Sequence, residues 1–310
     1  MDAVRLRSAF EDVGFTTAVP FSEGGGSVDH EALGANLATL YERGARLFVP
    51  CGNTGEYYAL SDEERVEVVE THVEATGEEA TVVGGAGGSL PEVRRLADAY
   101  ETAGADALMV MHPTHTYLHE QGLTEYYHEI CDATDLGVVI YKRGPEVTRE
   151  VLVEMSDREE VVAVKFAVGD VKEFAQTVDD APGPVTWVNG LAERYAIAFA
   201  AEGAGGYTTG VGNFVPSATL ALYEAVAKEN WGRARTIQRS LRPLEDLRDE
   251  TGRGNSLPSA NNVPVVKRGL DLAGYTGGSV RPPLSELSDR DADRLERHYD
   301  RVASTFERDA

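Results

Sequence analysis

Residues 137–166 read GVVIYKRGPEVTREVLVEMSDREEVVAVKF, two short apolar runs (Gly137–Tyr141 and Val161–Phe166) on either side of an amphipathic segment, Thr148–Met155. Runs of this length suit strands buried on both faces, and the segment between them has the period of a helix. The second run ends in Lys165. An ammonium group is expensive to bury there, so Lys165 is either paired or held at a lowered pKa that leaves its amine nucleophilic, which makes it the leading candidate for Schiff-base chemistry.

The same unit recurs along the chain. Further strands are expected at Gly14–Val19, Leu47–Pro50, Thr81–Gly84, Ala107–Met111, Val185–Val188 and Gly206–Thr209. Helices are expected at Asp29–Arg43, Ser61–Glu74, Leu90–Ala103, Gly122–Ala133, Val171–Thr177 and Ala192–Ala201, with Pro216–Lys228 as the eighth. Ser61 before Asp62-Glu63-Glu64, and Ser89 ahead of Pro91 and Glu92, are helix-start signals, while Gly44, Gly104 and Gly203 close helices. An uninterrupted run of eight strand-helix units favours an α/β fold of the (β/α)8 TIM-barrel type over an open doubly wound sheet. Residues 1–232 are assigned to the barrel and 233–310 to a C-terminal helical extension packed on it, interrupted by a Pro/Gly/Asn loop from Gly252 to Pro264.

Charge excludes some partners. With 52 acidic against 29 basic residues the formal net charge is -23, which disfavours nucleic-acid backbones and anionic membrane surfaces. The acidic residues are spread along the chain, as in Ser61-Asp62-Glu63-Glu64-Arg65 and Asp289-Arg290-Asp291-Ala292-Asp293, a distribution like that of proteins from salt-loving organisms. A halophilic cytoplasm is the expected setting. Cys51 and Cys131 are too few for a disulfide scaffold, Met1–Phe10 lacks an apolar signal core, and no apolar run approaches the ~18 residues of a membrane span.

Active sites of such barrels lie where the loops after the strands converge. The strand ends carry Thr16 and Thr17, Cys51 to Glu56, Tyr141-Lys142-Arg143, Lys165, Asn189-Gly190 and Thr208-Thr209. Gly52-Asn53-Thr54-Gly55-Glu56, between a strand and a helix, can bind an anion through backbone N–H groups and the Asn53 and Thr54 side chains; taken alone it is equally a structural turn. Tyr141 is either a packed aromatic or, on a strand adjacent to Lys165, a proton shuttle. Lys165 has bland readings too, snorkelling outward or pairing with Asp170. His112, His115 and His119 fit no fixed ligand spacing, so no metal site is assigned, and Cys51 reads as a small buried residue.

Thr17-Ala18-Val19-Pro20-Phe21, Gly52 to Glu56, Tyr141 and Lys165 together resemble the dihydrodipicolinate synthase and N-acetylneuraminate lyase superfamily of class I aldolase-type barrels. The resemblance implies Lys165 as Schiff-base former, Tyr141 as proton relay, and Gly52, Asn53 and Thr54 as the cradle of an α-keto carboxylate, with no cofactor or metal. Gly190 and Thr209, with Thr208 and Asn189, would line the opposite wall. Asp132 to Val138, Arg143, Lys165 to Asp170, Asn213-Phe214-Val215-Pro216 and Val280-Arg281-Pro282-Pro283-Leu284 are similar to the 2-keto-3-deoxy sugar-acid dehydratase branch, which includes 5-dehydro-4-deoxyglucarate dehydratase. Asn53 and Lys142 depart from the commoner residues, and Thr114-His115 stands where the synthases place a subunit-crossing tyrosine, which argues against a synthase. The expectation is a hydro-lyase taking 2-dehydro-3-deoxypentonate to 2,5-dioxopentanoate and water. Alternatives are the decarboxylating dehydration of 5-dehydro-4-deoxyglucarate, retro-aldol cleavage of 2-keto-3-deoxygluconate, and a non-catalytic sugar-acid-binding barrel. The partners implied are a small 2-keto acid and copies of the chain itself, in a tetramer or dimer of dimers.

Overall fold

Strands enclosed on both faces can be apolar at every position, and a closed sheet of them has no edge to protect. In the structure, a computed structural model describing residues 1–307, eight parallel strands close in chain order: β1 (Val13–Phe15), β2 (Leu47–Phe48), β3 (Thr81–Ala86), β4 (Ala107–Met111), β5 (Gly137–Lys142), β6 (Val161–Phe166), β7 (Thr186–Asn189) and β8 (Gly206–Thr209). Pairing of Gly14 with Thr208 and Phe15 with Thr209 joins β8 to β1 and completes the barrel. Each strand returns through a helix: α2 (His30–Glu42), α3 (Asp62–Ala75), α4 (Leu90–Ala103), α5 (Glu120–Cys131), α6 (Arg149–Met155), α7 (Val171–Asp180), α8 (Ala192–Ala201) and α9 (Pro216–Ala227). A short α1 (Ala3–Ala9), not anticipated from the sequence, precedes β1.

Capping boxes start α3 at Ser61 and α4 at Ser89: each serine oxygen accepts the N–H of the glutamate three residues on, whose carboxylate accepts the serine N–H. Three further helices, α10 (Trp231–Asp249), α11 (Asn262–Leu272) and α12 (Asp289–Phe306), form the C-terminal extension. α10 packs on α8 and α9, and α12 on α10 and α11. Among the described residues no helix is long and apolar enough to cross a membrane.

The mouth departs from the sequence-based expectation. β1 and β2 are shorter than expected, and Thr16–Val19 and Val49–Pro50 lie beyond their ends yet stay buried. Their partners lie in the barrel: Thr16 meets Thr54 and Thr209, Thr17 meets His72, and the Ala18 N–H donates to Asn213. Past the turn at 52–56 comes a 3-10 segment, Tyr57–Ala59, before α3 begins. Cys51, Glu56, Ala192 and Ser259 hold positive φ near 55°, a strain that persists only where surroundings over-determine it. All four lie at strand ends or on the cavity described next.

Candidate active site

Tyr141 on β5 and Lys165 on β6 are register partners, so both side chains leave the sheet on the same face. The Lys165 Nζ stands 4.3 Å from the centroid of the Tyr141 ring. Lys165 is only 6% exposed, and among the described residues its amine has neither an ion-pair nor a hydrogen-bond partner. The Asp170 alternative fails, because that carboxylate accepts the Glu173 N–H as N-cap of α7. Burial, reinforced by the positive charges of Arg143 and Arg248, lowers the Lys165 pKa to about 7. A large fraction of the amine is therefore neutral and nucleophilic at neutral pH.

Both residues open into a cavity of about 400 Å³ at the C-terminal ends of the strands, the expected face for chemistry in a (β/α)8 barrel. The Asn53 amide donates to Tyr141 Oη at 3.1 Å, tying the turn after β2 to the phenol. Burial raises the Tyr141 pKa against the opposing effects of Arg143 and the Asn53 hydrogen bond, so the phenol is protonated at neutral pH. A protonated phenol beside a neutral amine can pass protons to and from bound atoms.

The turn presents donors. Among the described residues the backbone N–H groups of Asn53 and Thr54 donate to no protein group, which leaves two amides for an anion. The Thr54 hydroxyl is less available. Thr16 Oγ1 spends its proton on the Thr209 carbonyl at 2.6 Å, so the 3.1 Å contact between Thr16 and Thr54 hydroxyls has Thr54 as donor. Beneath the turn, Glu56 forms a buried ion pair with Lys267 of α11 at 2.5 Å and accepts the Arg281 N–H at 3.0 Å. The extension thus fixes the turn from outside the barrel.

Gly190, just past β7, has a steric reason to be glycine. A Cβ there would lie 2.7 Å from Ala167 Cβ and 3.1 Å from Lys165 Cγ, in the space the lysine stem occupies. Thr209 is placed otherwise than the sequence suggested. It borders the cavity, but its hydroxyl donates to Glu193 Oε1 at 2.5 Å and accepts the Gly212 N–H at 2.7 Å, leaving no donor for a ligand. Thr208, one residue earlier and of opposite pleat, also lines the cavity. Asn189 likewise turns to its own loop, donating to Ala192 O and accepting from Leu191 N.

Lys142 follows Tyr141, and the pleat sends it out of the barrel. There it is buried, donating to Val147 O at 2.6 Å and pairing with Glu173 at 3.1 Å, so it cannot present a cation to the cavity. Arg143 does line the cavity, exposed and, among the described residues, without a partner. Burial pushes the Cys51 thiol up to about 12, which leaves it inert as a nucleophile. His115 and His119 accept N–H groups of their own loop. Sequence reasoning missed Arg248 and Asn262, which the extension brings to the cavity wall, and Glu193 and Glu245 behind them.

The fold and cavity are those of a (β/α)8 barrel with its site at the C-terminal ends of the strands, and its relatives make it an enzyme of the lyase class. The chain belongs to the dihydrodipicolinate synthetase family, whose model matches residues 9–301. It is 34% identical over 271 residues to a probable 5-dehydro-4-deoxyglucarate dehydratase of Streptomyces avermitilis, covering 84% of this chain and 83% of the relative. Identity to a similarly named protein of Bacillus licheniformis is 30%, covering 94% of each chain. Among solved structures, a dihydrodipicolinate synthase from Oceanobacillus iheyensis superposes with a TM-score of 0.90 at 32% identity, covering 96% of this chain and 98% of that one.

Proposed function

We propose that the protein is a Schiff-base-forming dehydratase of 2-keto-3-deoxy sugar acids. The observation that carries this reading is the buried Lys165 amine, without a partner among the described residues, lying over the Tyr141 ring, with Asn53 bridging the phenol to the turn. The substrate carboxylate would sit on the free amides of Asn53 and Thr54, placing its C2 ketone at the lysine. Attack by the neutral amine gives a carbinolamine, which loses water to become a protonated imine. That imine is an electron sink. Tyr141, or a water it orients, takes a C3 proton, and the electrons expel the C4 hydroxyl, which leaves as water after gaining a proton.

The conjugated imine then loses the group on C5 that frees an electron pair, a proton from a five-carbon acid or carbon dioxide from a six-carbon diacid. Reprotonation and imine hydrolysis give 2,5-dioxopentanoate in either case and regenerate the amine. Arg143 supports the diacid, 5-dehydro-4-deoxyglucarate, because it offers an unpaired cation to a second carboxylate. The relatives named above carry that substrate in their names. The 2-dehydro-3-deoxypentonate expected from composition and family context has no second carboxylate, and its binding would leave Arg143 facing solvent.

The test is a product assay on both acids. Release of 2,5-dioxopentanoate with carbon dioxide from the diacid supports the reading. Pyruvate plus an aldehyde would replace it with retro-aldol cleavage, and turnover of the pentonate alone would overturn the substrate choice. Absence of a borohydride-trapped adduct on Lys165 with any 2-keto acid would leave only a binding barrel.

A further inference from the structure

Arg248 lies in the last turn of α10, where arginines are ordinarily solvated, yet it is 6% exposed and borders the cavity beside Thr208, Gly210 and Asn262. Its Nη1 donates to Glu245 Oε1 at 2.7 Å and its Nη2 to Asn262 Oδ1 at 3.0 Å, while Nε has no partner. A guanidinium carries five N–H groups, so three are unspent among the described residues. Gly210 at the end of β8 makes the approach possible, since any Cβ there would collide with the guanidinium.

The two arginines of the cavity differ in their charge balance. Arg143 is exposed and, among the described residues, unpaired, whereas Glu245, itself buried, neutralises Arg248. Glu193 lies near this pair, fully buried, with one oxygen taking the Thr209 and Thr219 hydroxyls and the other unpartnered. Burial, and then the Glu245 charge, push its pKa up, favouring the form that adds no second negative charge. A compensated guanidinium offers donors without net charge, which suits a hydroxyl better than a carboxylate. Asn262 extends this edge: because Arg248 can only donate, the Asn262 oxygen must face it, and the amide NH2 remains unspent at the cavity.

We propose that Arg248 and Asn262 are specificity-determining residues that hold the hydroxyl-bearing end of the substrate, beyond the carbon that Lys165 attacks. The inference rests on the imine-forming reading of Lys165. A purely structural role, pinning α10 to α11, is the competing account, so the test compares ligands rather than variants alone. Borohydride trapping on Lys165 is titrated with pyruvate, which ends at C3, and with a 2-keto-3-deoxy sugar acid. The variants are Arg248→Gln combined with Glu245→Gln, which leaves no unpaired buried carboxylate, and Asn262→Ala.

Each variant is expected to raise the half-saturating concentration of the sugar acid about 10-fold or more relative to that of pyruvate. Equal changes for both ligands would establish the structural pin and overturn the proposal, as would no change for either. Trapping with both acids but without discrimination in the variants sinks this inference alone. Failure of the unaltered protein to trap any 2-keto acid sinks the lysine reading and this one with it.

Discussion

Replacing Lys165 with methionine should make the protein more stable, and by an amount that depends on pH. The lysine pKa is about 7 in the fold against 10.5 for the free side chain, so burying its protonated form costs roughly 5 kcal/mol at 1.36 kcal/mol per unit. The sign follows from the direction. Above about pH 10.5 the amine is neutral in both folded and unfolded chains and there is no penalty. The penalty grows as pH falls toward 7, and below 7 it is complete. Methionine fills a similar volume without charge. At about 2 °C per kcal/mol for a chain of this length, Lys165→Met should raise the unfolding midpoint by up to about 10 °C at pH 6 and by roughly 4 °C at pH 9. Thermal unfolding followed by circular dichroism in matched salt measures both. A shift of the same size at the two pH values, or a destabilised variant, would refute the claim that burial depresses this amine.

Other perturbations read different parts of the molecule. Tyr141→Phe should keep trapping pyruvate on Lys165 while turnover of a sugar acid falls by roughly 10²–10⁴-fold, the worth of a positioned proton carrier; equal loss of both would deny the relay. Gly190→Ala should abolish trapping in a protein that still folds, because the new Cβ takes space beside Lys165 Cγ, and mass spectrometry after borohydride reduction checks it. His72 is buried and neutral, its Nδ1 donating to Val68 O and its Nε2 accepting from Thr17, with burial lowering its pKa to about 4. Its stabilising contribution is therefore complete above about pH 6.5 and is lost as pH falls to 4, a loss of about 3 kcal/mol that a His72→Phe, Thr17→Val pair should remove from the acid limb of the unfolding curve. Lys267→Met leaves Glu56 buried without its cation and should cost about 3–5 kcal/mol in denaturant unfolding, most of it recovered by adding Glu56→Gln.

How much the sequence disclosed follows from what each element needs. β4, β6 and β8 and helices α4 and α8 have the bounds expected, because an apolar run or an amphipathic stripe between clear breakers is a local property. Thr16–Val19 resisted such reading: these residues are apolar enough for a strand but are buried against groups that arrive from far along the chain, as when Ala18 N–H donates to Asn213. The placement of Lys165 and Tyr141 at adjacent strand ends was legible because both close short apolar runs, and a strand-end lysine is costly wherever it sits. Thr209 was misread because composition places a hydroxyl at the mouth without saying where its proton goes. Arg248 was missed although a signal existed. Leu241, Leu244, Glu245, Leu247 and Arg248 share the buried stripe of α10, and a charged pair at those positions is a sign that the stripe faces something polar.

The placement of charge connects site to surface. A chain of net charge -23 should repel an anionic sugar acid and hold its lysines protonated, yet Lys165 shares its cavity with Arg143, which has no partner among the described residues, while Glu245 neutralises Arg248. Within a Debye length of about 8–10 Å at ordinary ionic strength, Arg143 acts on an arriving anion less screened than the carboxylates of the far surface. The arginines also act on the amine directly, since both disfavour protonated Lys165. A carboxylate docking at Arg143 would cancel part of that effect and draw a proton toward the lysine. Such a shift harms a free amine but assists a carbinolamine, whose departing water needs a proton. A bound diacid would therefore move the site from a state suited to attack toward one suited to dehydration, through Arg143.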